Sequence, residues 1–205
     1  MKHRTAVAAV ATIAAAALAG TTVPAQAAAP GTRSLATVLA ADGTKTDRSW
    51  KDFDIVEAAV LAVLDAKPHS PVALLTRGGK RATAFVPTDG AFRALVKDLT
   101  GTAPATEAAT FEAVAGLGID TVETVLLYHV VAGRTLTSGK VLAARGQAVT
   151  TAQGGKVTVR VRKGKVVLQD RDRDDRNPRV VALDINKGNK QVAHGIDRVL
   201  RPIDL

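Results

Sequence analysis

The stretch TAFVPTDGAF, residues 83–92, decides the fold, because an apolar strand passes there directly into a capped helix. The apolar residues 82–86 predict a strand that ends at Pro87, since proline cannot donate a hydrogen bond to a neighbouring strand. Thr88 or Asp89 can cap the helix that follows. Helical spacing of the apolar residues then predicts one buried face, formed by Phe92, Leu95, Val96 and Leu99.

Two further helices are predicted before this stretch. Ser34 can cap a short helix over the apolar residues that follow it. Residues 55–64 are apolar on nearly all sides and predict a deeply buried helix, which Pro68 and Pro71 end. The polar segment 42–52 between them is predicted to be a loop.

Helices are also predicted after this stretch. Pro104 suits the first turn of a helix that continues to about Ala115. Asp120 and Glu123 have the spacing of a capping box and indicate the start of another helix. From this helix, residues 128–133 are predicted to continue as extended chain.

The second half of the chain has the alternating pattern of strands. In residues 156–162 three valines share one face and polar residues share the other. The pair 163–164 suits a two-residue hairpin turn into residues 165–169, and two more strands are predicted over 179–185 and 191–200. Helices followed by a mainly antiparallel sheet predict an α+β fold in one compact unit.

Composition limits the classes of function. With 205 residues, 46% of them hydrophobic, the chain suits one domain with a substantial core. It has no cysteine, which excludes disulfides, thiolate nucleophiles, iron–sulfur clusters and cysteine-ligated zinc. Aromatic residues make up 3%, so the chain offers few stacking platforms for sugars or single-stranded nucleic acid. The net charge of +9 is compatible with an anionic partner and equally with the arginine-rich coding habit of a GC-rich genome.

Residues 1–27 have the pattern of a secretory signal peptide. A short cationic start precedes the apolar run 6–19, which is too short to span a bilayer, and an A-x-A pattern ends at Ala27. We therefore expect cleavage after Ala27, a short leader over 28–33 and one domain over 34–205. The mature protein is expected to be secreted, bacterial and soluble, with neither a membrane anchor nor a wall-sorting tail.

Three segments together resemble the fasciclin domain family. They are TAFVPTDGAF at 83–92, LLYHVV at 126–131 and VAHGIDRVLRP at 192–202, and the resemblance covers residues 34–203. It implies a fasciclin-like fold in which N-terminal helices pack on a mainly antiparallel β wedge or sandwich. It also implies a secreted, non-enzymatic module for adhesion or for binding an extracellular or cell-envelope protein.

The resemblance also implies a place for partner contact. In animal matrix members, the Tyr-His segment and an Asp-Ile pair ahead of the last segment are linked to integrin binding. Tyr128, His129, Asp184 and Ile185 match those positions. Tyr128 and His129 can instead belong to the scaffold, because buried tyrosine and histidine fix geometry through their hydrogen bonds.

No catalytic, cofactor or metal residue is assigned from the sequence. No serine after the predicted signal peptide lies in a G-x-S-x-G turn, and no histidine there has activating neighbours. His194 and Asp197 are three apart on a predicted strand, so they should point to opposite faces. The segment 170–175 begins like a calcium loop but has Asp at its sixth position and Val181 at its twelfth. We expect a solvated loop whose aspartates and arginines neutralise each other up to Arg179.

The hairpin 156–169 is the alternative binding site. Arg160, Arg162, Lys163 and Lys165 cluster on it, and the two arginines share its polar face. Such a cluster can hold phosphate or acidic polysaccharide electrostatically. For an exported protein an acidic wall polymer or a small anionic ligand is the expected partner, and nucleic acid is not.

Overall fold

The computed structural model describes residues 28–41, 47–172 and 174–202. The predicted signal peptide and the first part of the predicted 42–52 loop, residues 42–46, lie outside these residues. No helix in the described ranges is long and apolar enough to cross a membrane.

Helices fill the first half of the described chain. Ser34 caps α1, and its side chain accepts a hydrogen bond from the Thr37 N–H group, as its sequence position predicts. Of the two predicted caps for the helix after β1, it is Thr88 that accepts from the Ala91 N–H group. The helices are α1 Leu35–Leu39, α2 Asp54–Ala66, a 3₁₀ helix Pro71–Thr76, α3 Asp89–Thr100, α4 Glu107–Ala115, α5 Ile119–Tyr128 and α6 Ser138–Ala143.

The strands form two sheets. A mixed sheet has the order β2-β1-β7-β6, in which β1 and β7 are parallel and the other pairs antiparallel. An antiparallel sheet has the order β3-β4-β5. The strands are β1 Ala82–Pro87, β2 Val130–Ala132, β3 Ala148–Thr150, β4 Lys156–Arg162, β5 Lys165–Gln169, β6 Val180–Ile185 and β7 Gln191–Ile196.

The mixed sheet lies between helices α1 to α5 and the antiparallel sheet, and α6 packs on the side of the antiparallel sheet. Every residue of β1 and β7 is buried. On β1, Ala84 and Val86 join the core shared with α1 to α5, whereas Phe85 joins the core shared with β3 to β5. Alternate residues of one strand thus face two different cores, which explains why all residues of β1 except Thr83 are apolar. The predicted α+β sandwich is confirmed.

The basic hairpin has the predicted bounds. Its strands are β4 and β5, joined by Lys163 and Gly164. Both turn residues have positive φ, 49° and 75°, as the two-residue turn favoured by right-handed strand twist requires. Because pairing, turn and apolar alternation are all local, the sequence pattern was sufficient here.

Several helix starts were predicted wrongly. Thr106, and not the segment at Pro104, caps α4. Gly118 precedes α5, and the predicted capping pair Asp120 and Glu123 instead binds the ammonium group of Lys67. In both places a tertiary partner or a nearby threonine outweighs the local spacing.

The chain after α5 also differs from the prediction. Tyr128 is the last residue of α5 and His129 is its C-cap, so the extended chain begins at Val130. The last strand ends at Ile196 rather than Leu200. The 3₁₀ helix after Pro71 was not predicted.

Gly155 provides a test of the packing around Tyr128. A Cβ atom at Gly155 would lie 2.7 Å from the Tyr128 ring, and the ring cannot move because it is fully buried. We expect Gly155→Ala to lower the free energy of unfolding by about 1–3 kcal/mol, measured by denaturant titration.

Gly139→Ala is the matched control. Gly139 lies in α6, and a Cβ there would meet no atom within 4 Å. Its replacement should leave the free energy of unfolding unchanged or raise it by up to about 1 kcal/mol. Equal effects of the two substitutions would contradict the packing described at Tyr128.

Candidate functional site

A basic cleft lies between the β4–β5 hairpin and the segment that leads into β6. Its volume is about 560 Å³. An isolated bridge between Val167 and Arg179, and the hydrogen bond from Leu168 N–H to Pro178 O, hold the two walls together. Its lining residues are Arg162, Lys163, Lys165, Val167, Arg176, Asn177 and Arg179.

A second basic cleft lies next to the first, along β4. It has a volume of about 420 Å³, and Arg145 and Arg160 contribute its other cations. Arg162 lines both clefts, so the two form one continuous surface. We call this surface the basic band; its cations are Arg145, Arg160, Arg162, Lys163, Lys165, Arg176 and Arg179.

Few carboxylates oppose the basic band. Arg176 forms an ion pair with Asp197 at 3.0 Å, and Asp197 also accepts from the Arg179 N–H group at 2.7 Å. Among the described residues, no carboxylate forms an ion pair with the side chains of Arg162, Lys165 or Arg179. The band therefore carries uncompensated positive charge along an exposed groove.

The Tyr-His segment lies inside the fold. Tyr128 is fully buried, and its hydroxyl donates to Lys156 O at 2.9 Å. His129 is 4% exposed; its Nδ1 lies 2.7 Å from Val125 O, and its Nε2 accepts from the Leu200 N–H group at 2.9 Å. A partner could reach the two predicted contact residues only if the domain opened.

His194 is held in the same manner. It is fully buried, with Nε2 at 2.7 Å from Leu136 O and with Nδ1 accepting from Asp184 N–H at 3.3 Å. Asp197 points instead toward the arginines of the basic band, as the spacing of the two residues predicts. Because main-chain groups occupy both nitrogens of both imidazoles, neither ring offers a free base or metal ligand in this conformation.

The family of the chain follows from comparison with known proteins. The model of the family described as "Fasciclin domain" matches residues 61–202. The chain belongs to the fasciclin domain family. Fasciclin domains are typically extracellular and often related to adhesion. The comparison with curated proteins found no match.

A solved structure with the same fold comes from an insect. It is a pair of fasciclin domains from the cell adhesion molecule fasciclin I, described as a novel fold. The TM-score is 0.52 at 16% sequence identity, over 73% of this chain and 48% of that chain. This chain therefore spans about half the length of that domain pair.

In this fasciclin domain the Asp184-Ile185 pair has an internal role. The Asp184 carboxylate accepts from the Ser138 N–H group at 2.6 Å and from its hydroxyl at 2.7 Å, which fixes the start of α6 to β6. Burial alone would raise the pKa of Asp184, but the Ser138 hydrogen bonds and the Lys187 ion pair lower it below its ordinary value. Ile185 is half-buried, and the exposed side chains of this strand are Val181 and Leu183.

The Asp/Arg-rich segment is not a simple solvated loop. Asp172 is 6% exposed, and its carboxylate lies 3.0 Å from the guanidinium of Arg201, which is 5% exposed. Arg201 also pairs with Asp98 at 2.8 Å, and Arg198 lies 3.5 Å from Asp175. Asp172 and Asp175 are thus paired with arginines of the C-terminal segment, in contrast to the predicted neutralisation within the loop.

His129 makes stability depend on pH. Burial lowers the pKa of His129 to about 4, against the opposing effect of its bond to Val125. The fold needs the neutral ring, because a protonated Nε2 could not accept from Leu200. The free energy of unfolding should therefore fall by about 3 kcal/mol through this group as pH drops from about 6.5 to 4.

Substitution isolates this contribution from other titrating groups. The stability difference between the wild type and His129→Gln should be largest near pH 7 and shrink toward pH 4, measured by denaturant titration across that range. His69→Gln is the control, because His69 is exposed and its replacement should change stability little at any pH. A pH-independent difference for His129→Gln would contradict the neutral-ring requirement.

Proposed function

We propose that this protein is a secreted, non-enzymatic binding module of the fasciclin type that attaches to acidic cell-envelope polymers through the basic band. The uncompensated charge of the band carries this proposal. Neither the full burial of Tyr128 nor the main-chain bonds of His129 and His194 support a catalytic role. The pattern of residues 1–27 supports export.

The shape of the band favours a polymer over a small anion. Two clefts share Arg162, so phosphate or carboxylate groups repeated along one chain could occupy both at once. Each exposed charge contact is weak, and several along one polymer add through a high local concentration of ligand groups. A single small anion would use one cleft and gain little.

Neutralising the cleft tests the proposal. In the triple variant Arg162→Gln, Lys165→Gln and Arg179→Gln, affinity for poly(glycerol phosphate) should fall about ten-fold or more, because each lost contact contributes about 0.5 kcal/mol or more. Fluorescence anisotropy with labelled polymer at several salt concentrations gives the affinity and its salt dependence.

The control has the same net charge. Arg77→Gln, Lys80→Gln and Arg134→Gln remove three exposed cations that line neither cleft. This variant should bind within about three-fold of the wild type and keep its steep salt dependence. Equal losses in the two triple variants would show that overall charge alone attracts the polymer, and binding that is insensitive to salt would refute the electrostatic mechanism.

Contact with an extracellular protein is a second candidate function. β6 is the edge strand of the mixed sheet, and Val181 and Leu183 on it are 57% and 54% exposed. Leu142 of α6, 46% exposed, lines the same open groove of about 390 Å³. An exposed edge with apolar side chains is a typical surface for protein contact. The Asp184-Ile185 pair lies at the end of this strand.

Serine substitutions separate this candidate from the first. Val181→Ser with Leu183→Ser should reduce capture of cross-linked envelope proteins in a quantitative pull-down and leave polymer affinity unchanged. Leu61→Ser is the matched control, because Leu61 is a similarly exposed apolar residue on α2, at 52%. Protein capture that is unchanged by the β6 pair, or reduced equally by Leu61→Ser, would exclude the strand edge as the contact.

A further inference from the structure

Three helices begin at one point of the structure, and each begins with an acidic residue. Asp54, Asp89 and Glu107 are the first residues of α2, α3 and α4, and all three are buried. Asp52 lies just before α2 and is half-buried. One carboxylate oxygen from each of Asp52, Asp89 and Glu107 lies within 4.8 Å of the other two. We call these three residues the acidic triad.

Glu107 extends into this cluster with one oxygen unpartnered. Glu107 is 1% exposed. Its Oε2 accepts a hydrogen bond from the Asp47 N–H group at 2.6 Å, whereas its Oε1 is buried without a hydrogen-bond partner among the described residues. One carboxylate oxygen of Asp52, Oδ1, is likewise buried without a hydrogen-bond partner among the described residues. A second group of oxygens within 4.8 Å combines Glu107 with Asp47 and Asp54. Buried carboxylate oxygens without partners are costly, so such a cluster favours the binding of a cation or a proton.

The described protein groups compensate only part of this negative charge. The N-termini of α2, α3 and α4 each contribute roughly half a positive charge, about 1.5 together, against three carboxylates. Asp89 accepts from the N–H groups of Asp54 and Ile55, at 3.2 and 2.9 Å. Among the described residues, no lysine or arginine forms an ion pair with the acidic triad.

Two further observations around the acidic triad agree with this excess of negative charge. Arg93, stacked over Trp50 at 4.8 Å, donates to Pro104 O and not to the triad. Burial and the hydrogen bond with the Asp52 carboxyl together raise the pKa of Asp89 to about 8, although the main-chain hydrogen bonds from Ile55 and Asp54 oppose the rise. Either one divalent cation or protons shared among the carboxyl groups would neutralise the negative charge that remains.

We infer that the acidic triad, with Asp47 and Asp54 beside it, binds one divalent cation of the calcium type. All of the available side-chain ligands are carboxylate oxygens, which hard cations prefer. They come from a loop and three separate helices, an irregular arrangement that Ca²⁺ tolerates better than Mg²⁺, which demands octahedral geometry. The ion would fasten the loop 47–53 to the starts of the three helices.

This site differs from the calcium-like pattern at 170–175. In that segment the buried carboxylate of Asp172 faces the guanidinium of Arg201 at 3.0 Å, so a cation would meet an existing positive charge. The acidic triad meets no such group among the described residues. The sequence pattern and the structure therefore favour different places for a metal.

Terbium luminescence tests the site because the chain has a single tryptophan beside it. Trp50 O accepts from the N–H group of Gly90, the residue after Asp89. Tb³⁺ bound at the triad should emit when Trp50 is excited, and Ca²⁺ should displace it. Calorimetry of the chelator-treated protein should give one Ca²⁺ per chain, with a dissociation constant on the order of 10⁻⁴–10⁻³ M.

Conservative amide variants locate the ion. Glu107→Gln and Asp52→Asn should each weaken Ca²⁺ binding at least ten-fold, whereas Glu112→Gln, exposed on the same helix α4, should bind like the wild type. Saturating Ca²⁺ should also raise the Tm by about 5 °C in the wild type and in Glu112→Gln. If Glu107→Gln fails to fold by circular dichroism, the half-exposed Asp52 decides the result.

Two results would overturn the inference. One is the absence of both signals: no Tb³⁺ emission sensitised by Trp50, and no heat of binding in calorimetry up to about 10 mM Ca²⁺. This concentration exceeds the dissociation constants of the weakest extracellular calcium sites. In that case protons, not a metal, neutralise the cluster. The other is equal Ca²⁺ affinity in the wild type and in both amide variants, which would place the ion elsewhere.

Discussion

At the centre of the fold, β1 lies parallel to β7 over six residue pairs, from Ala82 beside Gln191 to Pro87 beside Ile196. Helices α1 to α5 pack on one side of this pair, and the three-stranded sheet with α6 packs on the other. The family segments gather around it: the first forms β1, the last forms β7, and the main-chain carbonyl of His129 accepts from Phe85 N–H. These segments are therefore mutual neighbours, although they are distant in sequence.

Both histidines are buried and bond to main-chain groups. His194 projects from β7 beside Phe85, with the rings 6.0 Å apart, and bonds to Leu136 O. His129 joins the end of α5 to Leu200 near the C-terminus. The His194 ring ties the loop at Leu136 to the central sheet, and the His129 ring ties the C-terminal segment to α5. Both rings bond to main-chain groups, which supports the scaffold interpretation over direct partner contact.

Local patterns predicted the fold well and non-local contacts poorly. The β4–β5 hairpin had the predicted bounds, because its turn and alternation are contained in adjacent residues. Asp120 and Glu123 had capping spacing, yet Lys67 from α2 binds both, and no local rule anticipates that partner. The parallel neighbour of β1 was likewise not deducible, because the sequence pattern does not show which of the later strands pairs with it.

The same limit applies to the sites. The cations of the hairpin could be identified from the sequence, but the opposite wall of the cleft, Arg176 and Arg179, follows only from the bridge to Val167. The triad of Asp52, Asp89 and Glu107 had no sequence signal, because its members have no characteristic spacing. Acidic residues at helix starts are common, and only their convergence distinguishes these.

The position of β7 near the end of the described chain has a consequence for folding. Until residues 191–196 have been synthesised, β1 has one open edge. The mixed sheet that separates the two cores is then incomplete. Such distant pairing closes a long loop and slows folding compared with local hairpins. A chain that ends before β7 would leave β1 with an exposed apolar strand edge, which favours aggregation.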